Sequence, residues 1–198
     1  AMMSEPDQEE VRIRALDYLL WTGTACDEAL GSRRGLLREP RPAGLDVPTV
    51  DEEQALTWLD HEYATFAAAL TSSAYQGHRS HHWRLAVILI VYQRQRGHWR
   101  DWEAFLISAR DTAAQTTGPR DQAMVHRQLG AARRRLHKLD LAASDLREAI
   151  QLAGQAGDAG RIGAQPSSPT DRTVMSQTTI AGIEIPDSQL ATDATELV

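Results

Sequence analysis

Apolar positions along most of this chain recur at helical spacing. Val11, Ala15, Leu16, Leu19 and Leu20 follow one helix face, which predicts a helix over 8–31 with Gly31 at its end. From Ser32 to Val50 the pattern is broken by Pro40, Pro42, Gly44 and Pro48, so a connector is expected, with one short turn at Leu36-Leu37. Asp51 is placed to cap a second helix, and Glu52, Glu53 and Gln54 favour its positive end. Its broad apolar face carries Ala55, Leu56, Trp58, Leu59, Tyr63, Phe66, Ala67 and Leu70, and Gly77 ends it. Ser80 is expected to cap a third helix. There Trp83, Leu85, Ala86, Leu89, Ile90 and Tyr92 are apolar nearly all round, so this should be the most buried element, closed by Gly97.

Two further helices flank Gly118-Pro119. Residues 100–116 turn Trp102, Phe105, Leu106 and Ala109 inward, and residues 120–137 do the same with Ala123, Met124, Leu129, Ala132 and Leu136. A last helix is expected from Asp140, carrying Leu141, Ala142, Leu146, Ala149, Ile150 and Leu152 and dissolving at Gly154 and Gly157. Across this helix and the one before it, Leu129-Gly130, Ala142, Leu146 and Ala149 form a hairpin signature in which small residues let two helices touch. Shifted back 40 residues, the same frame gives Leu89-Ile90, Trp102, Leu106 and Ala109, with Trp99 nearby. A period of this size without strand signals predicts an all-α stack of antiparallel helix hairpins, an α-solenoid whose units bury their apolar faces only on neighbours.

The expected organisation is an N-terminal helix and Pro-rich connector over 1–50, helical repeats over 51–157, a disordered linker over 158–179 and a tail over 180–198. Gly160, Gly163, Pro166 and Pro169 with serines and threonines give the linker its character. In the tail, Ile180, Ile183 and Ile185 suggest an extended segment, and Pro186-Asp187-Ser188 opens a helix through Leu190, Ala194 and Leu197. The start at Ala1 and a helical pattern still running at Val198 suggest a piece of a longer chain.

Composition narrows the class. Hydrophobic content of 42% and charged content of 24% suit a soluble globular protein. No apolar run nears the roughly 18 to 20 residues that span a bilayer, and the first residues lack the parts of a secretory signal, so a cytoplasmic protein without membrane contact is expected. Cys26 stands alone, which rules out a disulfide framework or a thiolate zinc cluster. The net charge of -6 is unevenly spread: residues 1–77 hold 14 acids and 6 bases, whereas residues 78–138 hold 4 acids and 12 bases. Solvated helix faces complementing acidic ends of the same molecule explain this layout, and nucleic-acid contact through 79–138 is the alternative.

With the helices placed, Ala55-Leu56-Thr57-Trp58-Leu59-Asp60-His61-Glu62 resembles the A-x-x-W-L-x-x-E helix that precedes the repeats of AfsR-type, SARP-associated bacterial signal-transduction ATPases, the NB-ARC-TPR transcriptional regulators. Trp83-Arg84-Leu85-Ala86 and the turn Arg96-Gly97-His98-Trp99 follow in the same order, and 129–149 resembles a tetratricopeptide repeat. The repeat departs from the pattern at Arg133, where an aromatic is usual, at Gly154, where proline is usual, and in its 40-residue period. The resemblance spans about residues 10–157 and implies a tetratricopeptide-like regulatory region. Such a region would be a sensor or autoinhibitory module that binds a protein or a domain of its own chain, with self-association into a homodimer a further possibility. No Gly-Lys-Ser or Gly-Lys-Thr phosphate loop occurs, so the nucleotide-hydrolysing part of that family is not expected here. The tail from Met175 faintly resembles the start of HD-domain metal hydrolases, which makes a tether for such a domain a third reading; its His-Asp metal pair does not occur here.

No catalytic set, cofactor site or metal site is expected. His78, His81, His82 and His98 read as solvated cap residues too dispersed along one helix to share a zinc ion. Trp58, Trp83, Trp99 and Trp102 read as packing residues. The residues expected to meet a partner are Arg96, Arg127, Arg133 and Arg134, because guanidinium forks suit carboxylates and phosphates.

Overall fold

The computed structural model describes residues 4–163 apart from 33, 38, 39 and 76. The chain separates into two units, Ala1–Ala156 and Gly157–Val198. The expected tail over 180–198, and the linker beyond 163, lie outside the described residues.

Helix α1 (Glu5–Ala29) starts earlier than its apolar pattern. Ser4 caps it by accepting the Asp7 N–H at 3.4 Å, and Pro6 lies in its first turn, where no amide is needed. After the connector, in which Leu36 is buried without forming a helical turn, α2 (Glu52–Tyr75) opens on a reciprocal cap. Asp51 accepts the Gln54 N–H at 2.9 Å, and Gln54 accepts the Asp51 N–H at 3.1 Å.

The third predicted helix is two. Ser80 lies inside α3 (Arg79–Ile88), and His78 occupies the cap position without a side-chain bond. The helix breaks at Leu89 and resumes as α4 (Ile90–Arg96). Val87, Ile88, Ile90 and Val91 surround that break, and such a run of β-branched residues is stiff and crowded in a helix. The segment is nonetheless as buried as its pattern requires, with Trp83 and every residue from Leu85 to Ile90 in the core. Gly97 ends α4 in the left-handed region (φ 75°), which costs a glycine nothing.

The remaining elements are α5 (Trp99–Thr116), α6 (Pro119–Arg135) and α7 (Leu139–Gly163). Helix α7 begins before Asp140, since the Lys138 carbonyl already accepts the Ala142 N–H at 3.0 Å. It also runs through Gly154 and Gly157, so residues 158–163, expected in the linker, are helical. A mid-helix glycine costs about 1 kcal/mol against alanine, and the neighbouring Leu152, Ala153, Gln155 and Ala156 are good helix formers that outweigh it.

The fold is all-helical, with no strand among the described residues. Helix α1 packs on both α2 and α3, α2 on α3, α3 on α5, and α5 on α6. Successive helices from α4 onward reverse direction at Gly97, Gly118 and His137. The first half is thus a cluster closed by α1, while the second adds one helix at a time. That difference shows in the two copies of the repeat: Trp102, Leu106 and Ala109 are all buried, but opposite Ala142 and Ala149 the equivalent Leu146 is 38% exposed. Among the described residues no helix is long and apolar enough to cross a membrane.

Candidate interaction surface

The four arginines expected to meet a partner separate into two kinds. Arg133 is buried, so it does not face a ligand. Its Nη1 donates to Asp145 of α7 at 2.5 Å and its Nε to Glu103 of α5 at 3.4 Å. Lys138 Nζ donates to the same Glu103 at 2.6 Å, and His126 Nδ1 lies 3.1 Å from Asp145. Arg133 therefore ties three helices together.

Arg96 is also internally engaged. Its Nε and Nη2 grip Asp60 of α2 at 2.9 and 2.5 Å, and Tyr92 donates to the same carboxylate at 2.8 Å. The Arg96 hydrogen bond holds the Asp60 carboxyl below its ordinary value, and burial pushes the Tyr92 phenol up to about 12. Alongside, Tyr63 donates to Asp101 at 2.8 Å and accepts from Gln93 at 3.2 Å, and its ring stacks on His98 at 4.7 Å. The helix bearing Trp58 and Asp60 and the turn Arg96-Gly97-His98-Trp99 are thus joined by a bidentate ion pair and stacked rings.

Arg127 and Arg134 are different. They lie on one line of α6 with Arg120, a seven-residue spacing masked in the sequence by the contiguous run Arg133-Arg134-Arg135. Steps of seven residues place the three guanidinium stems about 10.5 Å apart along the axis. Arg120 and Arg134 are exposed, Arg127 is half-buried, and none forms an ion pair among the described residues. Met124 and Ala131, both partly covered, fall between them on the same side. Arg135 points elsewhere, over the Trp99 ring at 5.4 Å.

His78 and His98 hold the cap positions of α3 and α5 without a side-chain cap bond, but the four histidines read as solvated are engaged within the protein. His78 and His81 meet Glu9 and Asp17 of α1, each at 2.9 Å. His82 is buried, with Nδ1 3.1 Å from Thr112 and Nε2 3.1 Å from Ser108. Thr112 spends its own proton on the Ala109 carbonyl at 3.0 Å, so Nδ1 carries the hydrogen and Nε2 accepts from Ser108. Burial lowers the pKa of this imidazole. Ser108 and Thr112 lie one turn apart on α5 but 26 and 30 residues from His82, so no local pattern announced the cluster. Ser108 beside His82 has the contact of a nucleophile and its base, but the orienting group is a hydroxyl rather than a carboxylate, and the amides around Ser108 are consumed in α5. Their arrangement satisfies a buried ring. Among the described residues no group of three His, Cys, Asp or Glu stands together as a metal site would require.

Asp51, Glu53, Gln54, Thr57, Trp58 and His61 line an open groove of about 600 Å³. Trp58 is held there edge-on to Tyr18 and Phe66, as a packing residue. The sequence matches no protein-family model, no curated protein and no solved structure.

Proposed function

We propose that this chain is a non-enzymatic interaction module, and that α6 presents Arg120, Arg127 and Arg134 to an acidic helical segment of a protein partner or of another domain of the same polypeptide. The observation that carries this reading is the alternation of cations with Met124 and Ala131 at heptad spacing. An amphipathic helix bearing carboxylates seven residues apart would meet both features. The resemblance of 55–62 and 96–99 to the AfsR-type regulators suggests the setting, a sensor or autoinhibitory region in a bacterial transcriptional regulator.

Nucleic-acid contact through 79–138 is the second reading, favoured by the same three unneutralised arginines. Against it, Arg96, Arg133 and Lys138 are already paired with Asp60, Glu103 and Asp145, so the basic block is not a continuous patch.

The test is fluorescence anisotropy with the full chain and three probes: a helical peptide with glutamates seven residues apart and leucine or alanine between them, its scrambled isomer, and a short duplex DNA. We expect the patterned peptide to bind at least about tenfold more tightly than the scrambled one. Arg120→Ala/Arg127→Ala/Arg134→Ala should remove that advantage. Preferred binding of the duplex, lost steeply with salt, would put the nucleic-acid reading first. No binding of any probe overturns the role given to α6.

A further inference from the structure

Among the described residues helix α7 has one apolar face packed inside the molecule and a second that is largely exposed, with Leu146 at the border of the two, its Cγ close over Gly130 of α6. Ala142, Asp145, Ala149 and Leu152 are buried on the side that meets α6. A second line runs through Leu139, Ala143, Leu146, Ile150 and Ala153, alternating steps of four and three residues, which is the spacing of a coiled-coil seam. Along it Leu139 is 61%, Leu146 38% and Ile150 65% exposed, and Ala143 is exposed as well. These are the largest exposures of any leucine or isoleucine on this line or elsewhere in the described chain apart from Leu141.

We propose that this seam is covered by the α7 seam of a second copy of the chain, running antiparallel. Side-chain size and charge both select that occupant. Antiparallel seams meet in layers, and the register that centres this one sets Leu139 against Ile150 of the second copy and Ala143 against its Leu146, each layer occurring twice by symmetry. Small thus faces large in the middle, and two branched aliphatic residues meet at each end. The same register brings Arg147, exposed beside the seam, next to the second copy's Asp140, and Asp140 next to its Arg147. Neither forms an ion pair among the described residues of its own chain. A parallel pair would instead set Arg147 against Ala142 of the second copy, which is buried on α6, and would give Asp140 no partner on α7. The interface is isologous, so it closes as a dimer and leaves the α6 arginine line outside it.

The test is the mass of the full chain by sedimentation over a range up to about 200 µM, with circular dichroism to confirm that each variant is folded. Wild type should pass from monomer to dimer across that range, and Ile150→Glu should remain monomeric. Asp140→Arg alone and Arg147→Asp alone should each weaken association by at least about tenfold, since each sets like charges together. An equimolar mixture of those two single variants should recover association, because every cross-chain pair in the mixed dimer is again opposite in sign. A loss of folding could not produce that recovery. A wild-type chain that stays monomeric at the highest concentration overturns the proposal. So does a dimer indifferent to Ile150→Glu, or single variants that do not rescue one another.

Discussion

Arg133 of α6 and Asp145 of α7 form a buried ion pair, 2.5 Å from Nη1 to Oδ2. Glu103 of α5 completes the arrangement, so one guanidinium serves two carboxylates that are themselves nearly inaccessible. Removing it leaves buried Asp145 with only His126 and buried Glu103 with only the exposed Lys138. Arg133→Ala should therefore cost about 3–5 kcal/mol in urea unfolding, whereas replacing all of Glu103, Arg133 and Asp145 by leucine and methionine should recover most of that loss. A single alanine variant as stable as wild type would contradict this account.

Two glycines test how closely the helices approach. A methyl group at Gly23 would stand 2.8 Å from Cζ of Phe66 and 3.1 Å from Ile88, both buried. At Gly130 it would stand 2.9 Å from Cγ of Leu146 and 3.2 Å from the Ala142 carbonyl. Phe66 has nowhere to move, while Leu146 is partly exposed and can swing outward. Both alanine variants should destabilise, by about 1–3 kcal/mol. Gly23→Ala should be the worse of the two, and Leu146→Ala should relieve Gly130→Ala only; thermal melts of the four proteins decide it.

His82 gives the stability a pH dependence of fixed sign. Its pKa is lowered by burial, so the unfolded chain binds a proton below about pH 6.5 that the folded chain refuses. Stability from this group is therefore present above the unfolded value and falls as the solution is acidified through and below it, by at most about 1.4 kcal/mol per pH unit for one proton. Urea unfolding of wild type and His82→Gln between pH 7.5 and 5 should show a gap that narrows or reverses on acidification. Parallel curves would dismiss the imidazole as its source.

His137 closes α6 in a left-handed conformation (φ 57°), with Lys138 N–H returning to the Arg133 carbonyl at 2.9 Å. That position favours glycine, and a side chain there costs roughly 1–2 kcal/mol, partly offset by the extra freedom glycine brings to the unfolded chain. His137→Gly should stabilise the protein by about 0.5–1 kcal/mol, seen as a higher urea midpoint with an unchanged slope.

Cys26 is wholly inaccessible, and burial pushes its thiol up to about 11. Reaction needs the thiolate in contact with solvent. Iodoacetamide at pH 8 should leave the folded protein unlabelled and modify it completely in denaturant. Rapid labelling of the native state would show that α1 opens.

Most of the helical organisation was legible because it rests on local rules. Spacing gave the inward faces of α2 and α5, and Gly77, Gly97 and Gly118-Pro119 marked boundaries that the structure keeps. The end of α6 was missed because a histidine does there what glycine usually does. The break at Leu89 lies in an unbroken apolar run, where periodicity has no polar residue to mark a change of phase. The candidate surface was half legible. Heptad spacing on α6 was available in the sequence, but which arginines remain unpaired depends on Asp60, Glu103 and Asp145, and only folding brings those three to Arg96 and Arg133. Arg34 shows the same limit. It lies in the connector, where no local pattern marks it, yet it donates to both oxygens of buried Asp27 at 2.8 and 2.7 Å and to the Val87 carbonyl at 3.3 Å.

Helix α1 and the connector after it reach α3 across most of the first half of the chain, through Asp17 with His81, 64 residues apart, and Arg34 with Val87, 53 apart. In the second half the ties are short, 30 residues from Glu103 to Arg133 and 12 from Arg133 to Asp145. Distant ties close large loops and form or break together, whereas near-neighbour ties can be released one after another. The order of opening is thereby set. Amide protons of α7 and then α6 should exchange through partial openings, while those of α1 and α3 should wait for the whole molecule to come apart.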